Sequence, residues 1–262
     1  MIRADLGRVL DIQNQAFIED ELYTFLYPQR KQYLEAFRRG IVARLGMSLC
    51  QPGIWPVVCV DDDDYVLGFA FWGRTVPDSM HELKRSDPWL QNNKSWATWL
   101  ESKLLNIEDK YETLFETNFA KDYNNARRFR DERDPCIDPI KKVGPQWHCH
   151  VLGVAPEAQR KGVGQKLVEW AIDRAREETE QRGVAVPLTL VASVVGKGLY
   201  LKKGFRIVGW MKLGLEGSFQ GGAALIWDPT DTWIKPAEPE IEVKPGRVIQ
   251  VVWTERTLEA NA

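Results

Sequence analysis

The chain has 262 residues, 44% of them hydrophobic and 27% charged, which suits a globular protein with a sizeable core. Its net charge is −2 and its Lys and Arg are spread along the sequence, so the basic stripe of a nucleic-acid binder is missing. No apolar run approaches the roughly 20 residues that cross a bilayer. The start, Met1-Ile2-Arg3-Ala4-Asp5, carries no apolar leader, so a cytoplasmic protein is expected, with Cys50, Cys59, Cys136 and Cys149 as free thiols.

Apolar residues at Leu6, Val9, Leu10, Ile12, Ala16 and Phe17 predict a helix over Asp5–Phe17, and a second is predicted over about Gln29–Leu45, after Pro28. Trp55–Val60 and Tyr65–Trp72 are β-rich runs around Asp61-Asp62-Asp63-Asp64 and read as an antiparallel hairpin. The four carboxylates lack the ligand spacing, Gly and final Glu of a calcium loop, so a solvated turn is expected. Residues 75–145 form a polar, helix-prone insertion. Within it Trp96, Trp99, Leu100, Leu104, Ile107, Tyr111, Leu114 and Phe115 share one helical face, expected to pack mostly on the core, with a helical cover that narrows the acceptor groove as the alternative. Asp134-Pro135 through Pro139 reads as the loop that ends the insertion.

A strand at Trp147–Val154 follows, then an amphipathic helix at Gly164–Arg182 stopped by Gly183. A buried strand at Leu188–Ala192, a short helix at Gly196–Lys203 closed by Gly204, and strands at Phe205–Met211 and Ala223–Trp227 complete the pattern. Beyond Asp228 the composition shifts to Pro, Glu and Lys, and Arg247–Trp253 reads as a strand in a C-terminal extension. The order implies one mixed α/β domain over residues 1–228, with residues 229–262 packed on it.

The chemistry is concentrated in Leu152-Gly153-Val154-Ala155-Pro156-Glu157-Ala158-Gln159-Arg160-Lys161-Gly162-Val163-Gly164. A strand ends, a turn begins at Pro156 and a helix starts at the glycines. A helix N-terminus offers free N–H groups and a positive dipole end, glycines let a bulky anion approach, and Arg160 and Lys161 add charge. This is a diphosphate cradle. The P-loop pattern is absent. A dinucleotide fingerprint fails because Leu167 stands where its third Gly belongs and Gly162 follows Val154 by too long an approach.

Gln159-Arg160-Lys161-Gly162-Val163-Gly164 resembles the Q/R-x-x-G-x-G/A motif of the GNAT (Gcn5-related N-acetyltransferase) superfamily, and Leu199-Tyr200-Leu201-Lys202-Lys203-Gly204-Phe205 resembles its L-Y-x-K-x-G-F segment. The texture is similar to fungal members. The resemblance implies a mixed sheet with two splayed strands and flanking helices, here with the helical insertion and the extension added. It implies acetyl-CoA as acyl donor, with pantetheine on the backbone of Leu152, Gly153 and Val154. The diphosphate would lie on Gln159, Arg160, Lys161, Gly162, Val163, Gly164 and Gln165. Ser193 stands where many members place a cofactor-contacting Asn. The family's usual first strand would fall before Asp5.

The resemblance also implies direct attack by a primary amine, with Tyr200 as general acid toward the leaving thiolate. A phenol of pKa about 10 facing a thiol of about 8.5 suits that transfer. The candidate bases are His148 and His150, which strand alternation puts on one face, with Cys149 turned to the other. A zinc site would need further ligands and only His81 remains, so no metal is expected. On the acceptor side Glu19, Asp20 and Glu21 precede Tyr23, Phe25 and Tyr27; Glu21, Tyr23 and Phe25 are the candidate acceptor contacts. The expected function is N-acetylation of a small-molecule amine by a monomer or homodimer. A protein or peptide N-acetyltransferase and a non-catalytic acyl-CoA-binding module are the alternatives.

Overall fold

The computed structural model describes residues 1, 3–91, 95–211 and 222–230. Its centre is a six-stranded mixed sheet in the order β1-β2-β3-β4-β6-β5, from β1 (Ile54–Val60), β2 (Val66–Thr75), β3 (Gln146–Val154), β4 (Leu188–Ala192), β5 (Arg206–Trp210) and β6 (Ala223–Trp227). All neighbours are antiparallel except β3 and β4, which run parallel. The predicted hairpin is β1–β2. Its turn is organised by Asp61, whose Oδ1 accepts from the N–H of Asp63 at 3.1 Å and of Tyr65 at 2.9 Å.

The flanking helices are α1 (Leu6–Phe17), α2 (Glu21–Leu26), α3 (Leu34–Leu49), α4 (His81–Ser86), α5 (Trp96–Phe115), α6 (Tyr123–Lys141), α7 (Val163–Arg182) and α8 (Val194–Lys202). Helix α1 packs on β2 and β3, and α7 packs across β1 to β4. Gly68 permits the α7 contact: a Cβ there would lie 2.7 Å from Val163 Cγ1. The first described element is a 3-10 turn at Arg3–Asp5, so no strand precedes α1 among the described residues. No described helix is long and apolar enough to cross a membrane. The strand expected at Arg247–Trp253, with most of the extension, lies outside the described residues.

The root of the insertion is fastened by a buried ion cluster. Arg74 Nε donates to Asp87 Oδ2 at 3.1 Å, and Arg182 Nη2 reaches the same oxygen at 3.1 Å. Arg74 Nη2 lies 2.6 Å from Glu178 Oε1, an ion pair whose angle falls outside hydrogen-bond geometry. Trp147 Nε1 donates to the other Glu178 oxygen at 2.9 Å. Arg74 and Asp87 side chains are fully buried.

Two expectations for the insertion fail. Pro135 and Pro139 do not end it in a loop but lie inside α6. Each proline removes one N–H from the helix, and packing on β5 and β6 compensates. The fit is close: a Cβ on Gly209 would lie 2.4 Å from the Cys136 carbonyl oxygen. The apolar face of α5 is not packed on the core either. Trp96 is 76% exposed, Ile107 64% and Leu114 75%. Periodicity identifies a face, but the neighbours of that face are set by tertiary geometry.

Candidate active site

Strands β3 and β4 pair through Trp147↔Leu188, His148↔Thr189 and Cys149↔Leu190, and no further. Beyond that point β3 runs on to Val154 beside β2 alone, so the two parallel strands part. A bulge sits at the parting. Phe71 pairs with Val151 and Trp72 with Cys149, which leaves His150 unpaired. A bulge bends its strand and resets side-chain alternation. A cavity of about 410 Å³ opens there, lined by Gln13 of α1, Tyr23 of α2, Arg44 of α3, His148, Cys149, His150 and Leu152 of β3, and Tyr200 of α8.

The glycine loop begins where β3 ends. The Gln159 side-chain amide donates back to the Val154 carbonyl at 3.3 Å and pins the loop to the strand. Arg160 and Gly162 both have left-handed backbones, with φ of 60° and 87°. Among the described residues no backbone acceptor meets the N–H groups of residues 160–165, as the first turn of a helix requires. Alternating hand of this kind turns successive N–H groups into one concavity suited to an anion. A Cβ on Gly162 would meet nothing within 4 Å, so the cradle is open to solvent. Arg160 and Lys161 are exposed beside it. Gly164 does a different job: a Cβ there would lie 3.1 Å from Leu199 Cδ2, so it seats α8 on α7. Gly153 lets the Phe69 ring close over the strand, with Cε1 2.7 Å from where a Cβ would be. The residues present fit a diphosphate.

Tyr200 is buried in the cavity wall, edge-on to Phe205 at 5.6 Å. Burial first, and the neighbouring Cys149 second, hold its phenol well above the ordinary value, so it stays protonated. Cys149 thus corrects the alternation argument: it is buried as expected, yet it lines the same cavity as Tyr200 and both histidines. Burial pushes its thiol up to about 12. Ser193 caps α8, its Oγ accepting from the Gly196 N–H at 3.2 Å, and also lines the cavity.

His148 Nδ1 lies 2.9 Å from Thr189 Oγ1, and its ring meets His150 edge to face at 5.1 Å. Burial, aided by His150, pushes His148 down to about 3. Burial also lowers His150. Both rings are therefore neutral near pH 7, free to accept a hydrogen bond but weak as bases. His150 fits only because residue 73 is glycine: its Nε2 lies 2.3 Å from where a Cβ would be.

On the acceptor side Tyr23 lines the cavity, but Glu21 and Phe25 are not among its lining residues. Phe25 is buried toward α6, where Asn125 donates to its carbonyl at 2.9 Å and Arg128 lies 5.9 Å over its ring. Asp20, Leu22, Gln13 and Arg44 contribute instead. Asp20 caps α2 through the N–H of Leu22 at 2.9 Å, and burial raises its carboxyl. A cap is readable from sequence; Gln13 and Arg44, on unremarkable helices, carry no local signal.

Residues 130–207 match the family model described as "Acetyltransferase (GNAT) domain". A curated acetyltransferase from Stachybotrys chartarum is 33% identical over 73 residues, 28% of this chain and 29% of that protein. The match therefore spans under a third of that relative's length. A solved structure described as histone acetyltransferase HPA2 and related acetyltransferase, from Corynebacterium glutamicum, aligns with a TM-score of 0.53 at 17% identity, covering 86% of this chain and 92% of that one. A phosphinothricin acetyltransferase from Sinorhizobium meliloti, solved with AcCoA, aligns at 15% identity over 91% of each chain with a TM-score of 0.44.

Proposed function

We propose that this chain, a member of the GNAT superfamily by its fold and by the match over residues 130–207, is an N-acetyltransferase that moves an acetyl group from acetyl-CoA to a primary amine on a small molecule. The observation that carries the reading is the parting of β3 and β4 after Cys149 and Leu190, with the diphosphate cradle at one side and Tyr200 in the cavity it opens.

The chain's residues then have these roles. The amides of residues 160–165 hold the diphosphate. The unpaired backbone at the end of β3 binds the pantetheine arm and offers an N–H to the developing oxyanion. The amine lone pair attacks the thioester carbonyl carbon, the C–N bond forms and the C–S bond breaks. Tyr200 gives its proton to the departing sulfur. The proton shed by the amine leaves through solvent and the neutral His148–His150 pair, and solvent restores Tyr200. His148 is a relay in this reading, because its lowered basicity is too weak for it to hold the proton.

The cavity of about 410 Å³ is in the size range of small-molecule sites and supports a small acceptor over a protein tail. Four free cysteines support residence in the reducing cytoplasm. The deciding experiment is thiol release from acetyl-CoA across a panel of primary amines. Amine-dependent release is expected; acetyl-CoA binding without release from any amine would leave a binding module instead.

A further inference from the structure

Resting on the acetyltransferase reading, we propose that the acceptor carries an anionic oxygen group, such as a carboxylate, held by Arg44. Arg44 lines the cavity, and it also lines a neighbouring pocket with Tyr27, Glu108, Asp109 and Glu112. Its hydrogen bond goes to a neutral phenol, Tyr27, at 2.7 Å, and it lies 5.7 Å from the Tyr23 ring centre. No carboxylate forms an ion pair with it among the described residues, and Asp109 acts on it only from farther away. The other cavity arginine, Arg133, is paired with Asp134 at 2.8 Å.

A guanidinium keeps its charge at any physiological pH, and this one lies over the Tyr23 and Tyr27 rings with no carboxylate bonded to it among the described residues, so it can still take an anion. A second group waits in the same cavity. Gln13 is 1% exposed and its Oε1 has no hydrogen-bond partner, which suits the N–H of an amine. Arg133 is neutralised by Asp134 and the Asp20 carboxyl is engaged as a helix cap, which leaves Arg44, the Gln13 oxygen and two neutral imidazoles to favour an amine that also bears an acid over a polycation.

The test uses the full chain and a panel of amino acids, each paired with its carboxamide, in which only the acid differs. For at least one pair the acid should have a kcat/KM tenfold or more above its amide. Arg44→Gln should bring that ratio toward one, with the KM for acetyl-CoA unchanged, and Arg44→Lys should keep part of it. Amides preferred throughout, or a ratio untouched by Arg44→Gln, would overturn the proposal. Thermal shifts by the same pairs without acetyl-CoA read the Arg44 site independently of turnover. A chain stabilised by the acids yet inactive with every amine sinks the parent reading, whereas turnover of neutral amines alone sinks this one.

A second, independent observation is the exposed stripe of α5. Leu100, Leu104, Ile107, Tyr111 and Leu114 follow one another in alternating steps of four and three residues, the spacing of a coiled-coil seam. Glu101 and Glu108 flank one side of the seam, and Lys103 and Lys110 the other. We infer that α5 pairs in parallel with α5 of a second copy of this chain. A parallel pair sets Lys103 against the partner's Glu108 across a two-fold axis, whereas an antiparallel pair would set like charges together.

Light scattering on the full chain should give a dimer mass. Ile107→Asp should give a monomer that keeps its circular dichroism, because the position is exposed. Lys103→Glu should weaken the dimer, and Lys103→Glu with Glu108→Lys should restore it. A monomeric wild type, or a double variant no better than Lys103→Glu alone, would refute the pairing.

Discussion

The imidazole of His148 is fastened across the parallel strands to the residue it pairs with in register: Nδ1 lies 2.9 Å from the hydroxyl oxygen of Thr189. The ring is thereby oriented by β4 as well as by β3. Its lowered pKa, about 3, has a consequence for stability. Between that value and the ordinary 6.5 the unfolded chain binds a proton that the folded chain does not. Stability therefore falls as pH drops through this window, and this group contributes no slope above it. His148→Gln should flatten the slope in urea melts taken at about pH 4.5 and about pH 7.5. An unchanged slope would show that His148 titrates normally. For the same reason kcat/KM should show no acid limb near 6.5 from this residue.

Tyr200→Phe should lower kcat by about 10²-fold or more while acetyl-CoA affinity stays within about a factor of two. The ring that packs on Phe205 is retained, so the fold should survive. Steady-state rates and calorimetric titration separate the two quantities. Equal losses in both would mean that the phenol binds rather than donates.

Two glycines at opposite ends of α7 make a controlled pair. Gly162 (φ 87°) and Gly183 (φ 65°) are both left-handed, and a Cβ on either meets nothing within 4 Å. Alanine should cost about 1–2 kcal/mol of stability at each, from backbone strain alone. Only Gly162→Ala should also raise the KM for acetyl-CoA, since the proposed diphosphate cradle lies at that end. An equal KM change in both variants would relocate the cradle.

The buried cluster should respond strongly to losing one member. Asp87→Ala removes the carboxylate hydrogen-bonded to Arg74 but leaves it the Glu178 ion pair, a loss of about 1.5–3 kcal/mol. Urea unfolding followed by Trp fluorescence measures it. A loss below about 1 kcal/mol would mean that the cluster is hydrated.

What was readable in the sequence was what local chemistry determines. The Gln159–Gly164 loop announces itself because a left-handed turn into a helix demands glycine, and Tyr200 follows at a distance set by one helix and one strand. The bulge at His150 leaves no mark in composition, so alternation assigned Cys149 to the wrong side of the argument. Pro135 and Pro139 argued for a loop because the packing that holds α6 together comes from β5 and β6, distant in sequence. Glu21 and Phe25 were attractive by charge and aromaticity, but α2 turns Tyr23 toward the cavity and Phe25 toward α6.

The cavity wall takes Gln13 from the first helix and Met211 from just beyond the fifth strand. Ribosomal synthesis delivers these residues almost at opposite ends of the emerging domain. A nascent chain that has not yet exposed β4 and α8 has no cavity to offer, however well its first hairpin has formed. On the proposed acetyltransferase reading, donor and acceptor are ligands of the completed fold alone, and their occupancy should stabilise it as one cooperative unit by RT ln(1 + [L]/Kd).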